Sequence, residues 1–341
     1  MSDPVRVVLV GCGGISGAWL RPATTMPDIQ FVGLVDINKK ATDAKAQEYK
    51  LDTAAQGTDL KEMLKQTKPD AVFDCTLPEI HHSVTMTALK HGCHVLGEKP
   101  LADTMAHARE MVAAAEQAKK TYAVIQNRRY DPRIRSLRRF LDSGRIGQVT
   151  TVNADFYIGA HFGGFRDQMQ HVLLLDMAIH SFDQARLISG ADPVAVYCHE
   201  WNPFGSWYAH GASAIAIFEM SNGLRLIYRG SWCAEGMNTT WECDWRAIGT
   251  NGSVKWDGAD KLDAEVVVKT GGFFSEKEKL SIPVEPDGKE TGHAGLIREF
   301  IDCVKHGGTP ETIASDNIKS LAMVFGAIES AETGKRVEIK V

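Results

Sequence analysis

Val5-Arg6-Val7-Val8-Leu9-Val10-Gly11-Cys12-Gly13-Gly14-Ile15-Ser16-Gly17 is the stretch that decides the fold. Its first six residues are β-branched or leucine apart from Arg6, so they read as a strand buried on both faces. Ile15–Met26 reads as the helix that follows. Between them Gly11 permits a tight turn and Gly13 lets a pyrophosphate approach the backbone. The helix N-terminus then offers N–H groups and a favourable dipole to that anion. Gly14, Ile15 and Ser16 complete the loop, with Ser16 at the sixth position of the G-x-G-x-x-G dinucleotide fingerprint and Gly17 beside it.

Working outward, short β-branched runs alternate with helical patterns through the first ~125 residues. Strands are expected at Gln30–Asp36, Ala71–Asp74 and His94–Gly97, and helices at Lys39–Tyr49, Ile80–His91 and Thr104–Lys119. That alternation predicts βαβ units on a doubly wound parallel sheet, the α/β class. After Tyr122 the pattern changes. Helices are expected at Asp131–Ser143 and Val172–Ser189, with strand-like runs at Val149–Tyr157, Ala212–Met220, Leu224–Trp232 and Trp241–Ile248 separated by SNG, EGMN and GTNG turns. Two further helices, near His293–Lys305 and Ser315–Glu332, precede a short terminal strand. This half reads as an α+β domain with one open, predominantly antiparallel sheet, so the division is 1–125 and 126–341.

Composition excludes several classes. The 341 residues are 44% hydrophobic and 24% charged with a net charge of -5, and no run of ~18 apolar residues occurs. No membrane span and no nucleic-acid partner is expected, since basic residues cluster only at Arg128-Arg129 and Arg138-Arg139. The seven cysteines are scattered without a CxxC pair and no secretory signal is seen, so a reducing cytoplasm is expected, with no metal knuckle. Six of the seven tryptophans (201, 207, 232, 241, 245 and 256) fall within 56 residues.

Three features carry chemistry. Asp36 ends the second strand, where a carboxylate accepts hydrogen bonds from an adenosine ribose and repels a 2′-phosphate. NAD is therefore favoured, and the nearby Lys39 and Lys40 keep NADP as the second choice. In Gly97-Glu98-Lys99-Pro100 the proline keeps Lys99 extended at the carboxyl end of a central strand, where open α/β sheets bind ligands. In the helix around Leu175, Asp176, His180 and Asp183 fall at i, i+4 and i+7, one polar stripe on an apolar helix. The plainer alternatives stay open at this point: a glycine turn, a helix-capping Asp36, a solvated Lys99 and a structural core histidine.

Together with Thr76-Leu77-Pro78-Glu79-Ile80-His81-His82, these motifs in this order resemble the Gfo/Idh/MocA family of nicotinamide-dependent oxidoreductases over nearly the whole chain. The resemblance implies an N-terminal Rossmann domain and a C-terminal sheet domain used for homodimers or homotetramers. It places the family's lysine on Lys99, its helix acid and histidine on Asp176 and His180, and its cofactor-side residues on Thr76, Pro78, His82, Glu98 and Asn127-Arg128-Arg129. Two positions depart from the pattern: Glu79 where Asn is common, and His171-Val172 where a Gly-Gly pair is common.

Hydride transfer between the nicotinamide and a secondary carbinol of a sugar or polyol is the leading expectation. His180 is its general base, Lys99 its oxyanion partner and Asp176 its orienting acid. Arg166, Asp183, Tyr157, His161, Trp201 and Trp207 are the substrate-side candidates, because aromatic faces suit the C–H faces of sugar rings. Two further readings stand beside it. One is a redox glycosidase acting on a glycoside, with Tyr157, His161 or Tyr208 as the extra acid/base; the other is a non-catalytic cofactor sensor.

Overall fold

The computed structural model describes residues 3–286 and 288–341. The chain divides into two compact units. One gathers the chain up to Tyr130 with Lys289–Ile318, and the other gathers Asp131–Gly288 with Lys319–Val341.

The first unit is a six-stranded parallel sheet. Its elements are β1 (Val5–Val10), α1 (Ser16–Ala23), β2 (Ile29–Val35), α2 (Lys39–Glu48), β3 (Ala55–Gly57), α3 (Leu60–Thr67), β4 (Ala71–Asp74), α4 (Pro78–Lys90), β5 (His94–Gly97), α5 (Met105–Ala118) and β6 (Tyr122–Val124). The strand order is β3-β2-β1-β4-β5-β6, a Rossmann arrangement in which the direction of winding reverses between β1 and β4. Every residue of β4 is buried, as the continuous apolar runs of the sequence predict. The first helix is shorter than expected: it begins at Ser16, carries Pro22 in its last turn and ends at Ala23.

The second unit starts with α6 (Pro132–Asp142) and β7 (Val149–Tyr157). The helix expected from Val172 is not uniform. Leu173–Ala178 is a π-helical turn, and the regular helix α7 runs over Ile179–Ser189. Next come β8 (Pro193–Trp201), β9 (Ser213–Met220), β10 (Arg225–Ser231), β11 (Asp244–Gly249), β12 (Gly252–Trp256), β13 (Leu262–Lys269) and β14 (Glu276–Ser281). They form one open sheet in the order β14-β13-β12-β11-β7-β10-β9-β8, antiparallel except for the β10–β7 pair. Along β9 the buried Ala214, Ala216 and Phe218 alternate with the outward Ile215 and Ile217. Helix α7 covers the inner face, where Phe182 packs edge-on against Phe218 and Tyr228 at 4.8 and 5.2 Å between ring centroids. Trp245 and Trp256 are cross-strand partners buried in this layer, each bonded through Nε1 to a backbone carbonyl.

Helix α8 (Gly292–His306) belongs to the first unit, so the single boundary expected after residue 125 gives way to a chain that leaves that unit and returns. The reason is its apolar stripe. Leu296, Ile297, Phe300 and Ile301 complete the core around Trp19 and Phe73. The Arg298 guanidinium also takes Asp28 in two 2.7 Å bonds. Helix α9 (Ala314–Thr333) and β15 (Val337–Glu338), which pairs with β8, close the chain.

Candidate active site

In the first unit, the glycine loop has the shape a dinucleotide needs. Gly11 sits at φ +87°, and a Cβ there would stand 2.6 Å from the Cys75 carbonyl oxygen, so close approach of β4 as well as the turn requires glycine. Gly13 and Gly14 face open space, where an added Cβ would meet nothing within 4 Å. Helix α1 opens at Ile15 with no side-chain cap, so its dipole faces the loop, while the Gly17 and Ala18 amides close the first turn on Gly14 and Ile15. Ser16 is buried, and its hydroxyl closes the loop by donating to the Gly13 carbonyl at 2.6 Å.

Asp36 stands beside this loop. Its Oδ2 accepts from the Cys12 amide and its Oδ1 from the Asn38 amide, both at 2.8 Å. The cap of α2 is Asn38 itself, so Asp36 is an anchored carboxylate on the loop edge and not the helix cap. Burial pushes the Cys12 thiol up to about 12, away from the thiolate form. Pro78 opens α4 as its first residue, and the Thr76 hydroxyl is committed to Asp74 at 2.6 Å.

The Glu98 carboxylate is buried and accepts from Trp19 Nε1 at 2.7 Å and from the Lys99 amide at 3.1 Å. Burial pushes this carboxyl up. Trp19, the lone tryptophan of the first 200 residues, thus holds the strand end that carries Lys99, and the Lys99–Pro100 peptide is cis. Asn127 lies in a 3-10 turn after β6, 3.3 Å from His293 Nδ1, and Arg129 beside it is buried with its guanidinium on the Glu311 carbonyl.

The two neighbouring histidines of α4 stand in different surroundings. His82 pairs with Glu110 at 2.8 Å and stacks on His107 at 4.3 Å. The inward residue is His81, 1% exposed, whose Nδ1 meets the Pro100 carbonyl at 2.9 Å and whose Nε2 meets the Thr76 carbonyl at 3.1 Å. The helix pattern carries the signal that identifies it: His81, Val84, Thr85, Ala88 and Leu89 share the buried face.

In the second unit, Asp176 lies in the π turn and His180 in the first turn of α7. Such turns are frequent at functional sites. Asp176 is gripped by Arg166, with Nε to Oδ2 at 2.7 Å and Nη2 to Oδ1 at 3.4 Å. The guanidinium lies over the rings of Phe162 and Phe165 at 5.0 and 4.7 Å, a contact that fixes its plane. The stripe expected from i, i+4, i+7 spacing is broken. Asp183 is 1% exposed and accepts from Ser320, which in turn accepts from Arg186, so Asp183 is a core residue rather than a substrate contact.

The aromatic candidates separate in the same way. Trp201 lies on the outward face of β8 stacked on His199, the face opposite α7. Trp207 has one face covered by His161 at 3.7 Å and its Nε1 on the Ala160 carbonyl. The Tyr208 hydroxyl is committed to that same carbonyl at 2.6 Å, and the exposed His161 pairs with Glu235. Tyr157 ends β7, its hydroxyl made less acidic by burial. Missed by the sequence reading is the group Phe162, Trp232 and Trp241, with Phe162–Trp232 at 4.8 Å and Trp232–Trp241 at 6.1 Å. Phe162 and Trp241 are 44% and 46% exposed.

His171, before the π turn, takes left-handed backbone (φ +51°), which glycine adopts at less cost. It pairs with the buried Glu200 at 2.5 Å, and that carboxylate raises its affinity for a proton. Among the described residues, no group of three or more His, Cys, Asp or Glu is placed to hold a metal ion, and no helix is long and apolar enough to cross a membrane.

Comparison with known proteins agrees with this architecture. Residues 5–126 match the model of an oxidoreductase family with an NAD-binding Rossmann fold, and residues 134–255 match the GFO/IDH/MocA C-terminal domain. The chain is 26% identical to D-apiose dehydrogenase of Paraburkholderia graminis, over 97% of this chain and 89% of that one. It is 27% identical to D-glucoside 3-dehydrogenase of Escherichia coli strain K12, over 99% and 98%. An oxidoreductase from Agrobacterium radiobacter, crystallised with NAD+, L-tartaric acid and magnesium, superposes with a TM-score of 0.85 at 21% identity over 99% of both chains. With both of its halves matched, the chain belongs to the GFO/IDH/MocA family of NAD-binding oxidoreductases.

Proposed function

We propose that this oxidoreductase converts a secondary hydroxyl of a sugar or cyclitol to a ketone, with Lys99, Asp176 and His180 handling the alcohol. The observation that carries this reading is the Arg166–Asp176 clamp in a π turn just before His180: an oriented carboxylate and, four residues on, an imidazole. The names of the relatives support a carbohydrate substrate. When bound, NAD supplies the hydride acceptor on its nicotinamide ring. His180 takes the hydroxyl proton, since an imidazole exchanges protons near neutrality. The Lys99 ammonium stabilises the oxygen as its proton leaves, and Asp176 fixes the orientation of the reacting alcohol. Gly13, Gly14 and Ile15 hold the pyrophosphate, and Asp36 takes the ribose hydroxyls, which selects NAD over NADP. Phe162 and Trp241 replace Trp201 as the sugar-facing aromatics, because they are half-exposed on the side of the Asp176 clamp.

The protein works as a homo-oligomer in which a second copy covers the outward face of the second-unit sheet. Tyr197, Ile217 and Ile227 are cross-strand neighbours on that face, with Tyr197 half-exposed. Its seven free cysteines suit a reducing compartment.

The test is incubation with NAD and a panel of free sugars, cyclitols and aryl glycosides, following absorbance at 340 nm and aglycone release together. NADH formed from a free sugar or cyclitol is the expected result. Aglycone release without net NADH would replace this reading with the redox glycosidase. Bound NAD with neither signal across the panel would overturn the carbohydrate assignment.

A further inference from the structure

His81 presents a proton-counting problem. Both of its ring nitrogens lie within hydrogen-bond distance of backbone carbonyl oxygens: Nδ1 at 2.9 Å from Pro100 and Nε2 at 3.1 Å from Thr76. A carbonyl oxygen only accepts. A neutral imidazole has one N–H and one lone pair, so in either neutral form one nitrogen lone pair would face an oxygen lone pair. With 1% of the residue exposed, water cannot relieve that repulsion. Both contacts are bonds only if both nitrogens carry hydrogen.

A buried cation needs a counter-charge, and Asp74 and Glu98 are the buried carboxyl groups that interact with His81. Asp74 ends β4 fully buried. Its Oδ1 accepts from the Thr76 amide and hydroxyl, while its Oδ2 has no hydrogen-bond partner among the described residues. Glu98 follows β5 and is bonded as described above. Burial pushes both carboxyls up, and the charge of His81 acts on each in the opposite sense, toward the ionised form. The two acids belong to neighbouring strand ends, because the Glu98 amide donates to the Asp74 carbonyl at 2.8 Å.

The two carbonyls that His81 holds are functionally distinct. Thr76 belongs to the loop that leads into Pro78 and α4, and Pro100 follows Lys99 directly. We propose that His81 is a buried imidazolium and a positioning residue, whose two N–H bonds tie the loop after β4 to the Glu98-Lys99-Pro100 bend and so fix where the Lys99 ammonium stands. The functional half of this inference rests on the reading of Lys99 as the cation that meets the reacting oxygen; the charge state of His81 does not.

Two measurements test it on the full-length, NAD-loaded protein. In wild-type protein labelled with 15N-histidine, one imidazole is expected to show two protonated ring nitrogens and slowly exchanging ring protons at pH 7.5. That signal is expected to disappear in His81→Gln. A wild-type spectrum in which no imidazole beyond the one paired with Glu200 carries two slowly exchanging ring protons would overturn the charge assignment. The second measurement is a double-mutant cycle on turnover of the substrate found by the panel. His81→Gln is expected to lower kcat at least tenfold in the wild type and less than threefold further in Lys99→Ala, because a residue that acts through Lys99 has nothing left to position. Equal losses in both backgrounds would overturn the positioning role, even with the imidazolium signal present. Full turnover in Lys99→Ala would instead sink the role proposed for the lysine, and with it the positioning half, while leaving the ring signal as found.

Discussion

The two sheets of this chain, one parallel and the other antiparallel except for the β10–β7 pair, place their side chains to opposite ends. In the parallel sheet both faces are buried, and Asp36, Gly11, Asp74 and Lys99 stand at or just beyond the carboxyl ends of β2, β1, β4 and β5. In the open sheet of the second unit the two faces differ. One carries α7 with Asp176 and His180 at its approach, and the other presents Tyr197, Ile215 and Ile217 outward. A sheet covered on both sides can place functional groups only at its rim, whereas a half-covered sheet offers a surface.

The largest expected effects fall on the groups handling the alcohol. His180→Ala and Lys99→Ala should each lower kcat by about 10²–10⁴, with NAD affinity by fluorescence titration changed far less. Near-normal turnover in either would break the division into a cofactor rim and a catalytic helix. Next comes Gly11→Ala. The added Cβ meets the Cys75 carbonyl at 2.6 Å in left-handed backbone, so β1 and β4 must part at the rim. We expect NAD binding weaker by about 100-fold and stability lower by about 2–4 kcal/mol, measured by titration and urea unfolding. If both stay at wild-type values, the rim is not the rigid element described.

How legible each sheet was from sequence follows from the same contrast. Strands buried on both faces are continuous apolar runs, so β1, β4 and β5 could be read directly and the glycine loop located between elements. Strands of the open sheet mix charges with apolar residues, and β14, Glu-Lys-Glu-Lys-Leu-Ser, is almost wholly exposed and has no apolar signal at all. The π turn was illegible because one extra residue per turn leaves the helical composition unchanged, yet it separates Asp176 from the core-facing Asp183. Nor does the apolar stripe of α8 say which core it joins; Phe300 against Phe73 is a contact across more than two hundred residues. For His81 and His82 the choice turned on helix phase, fixed only once Pro78 is known to be the first helical residue.

A smaller effect probes the outward face. Ile217→Lys combined with Tyr197→Lys places charge on a cross-strand pair that no helix covers. The expected outcome by light scattering is a lower molecular mass, with kcat per chain within about twofold of wild type, since neither side chain lies on the α7 face. An unchanged mass would remove this face from the assembly, and a monomer inactive despite normal NAD binding would make the open sheet more than a docking surface.

The smallest expected effect concerns pH, and here the two units should diverge. In the first, the neutral His94 ring accepts from the Thr121 amide and burial lowers its value to about 4 from an ordinary 6.5. Its contribution is complete above pH 6.5 and is lost as pH falls toward 4. Asp28, held at about 2 by Arg298 against an ordinary 3.8, adds a second loss only below 3.8. In the second unit, Glu200 raises His171 above 6.5, so its contribution is complete below pH 6.5 and is lost as pH rises through the raised value. Pulse proteolysis in urea with peptide mapping should therefore show the first unit weaker at pH 4.5 than at 7, by about 1–2 kcal/mol, and the second weaker at pH 9. His94→Asn should flatten the first dependence and His171→Asn the second. If both units instead weaken together at pH 4.5, they unfold as one cooperative block, and the division drawn from their packing does not extend to their energetics.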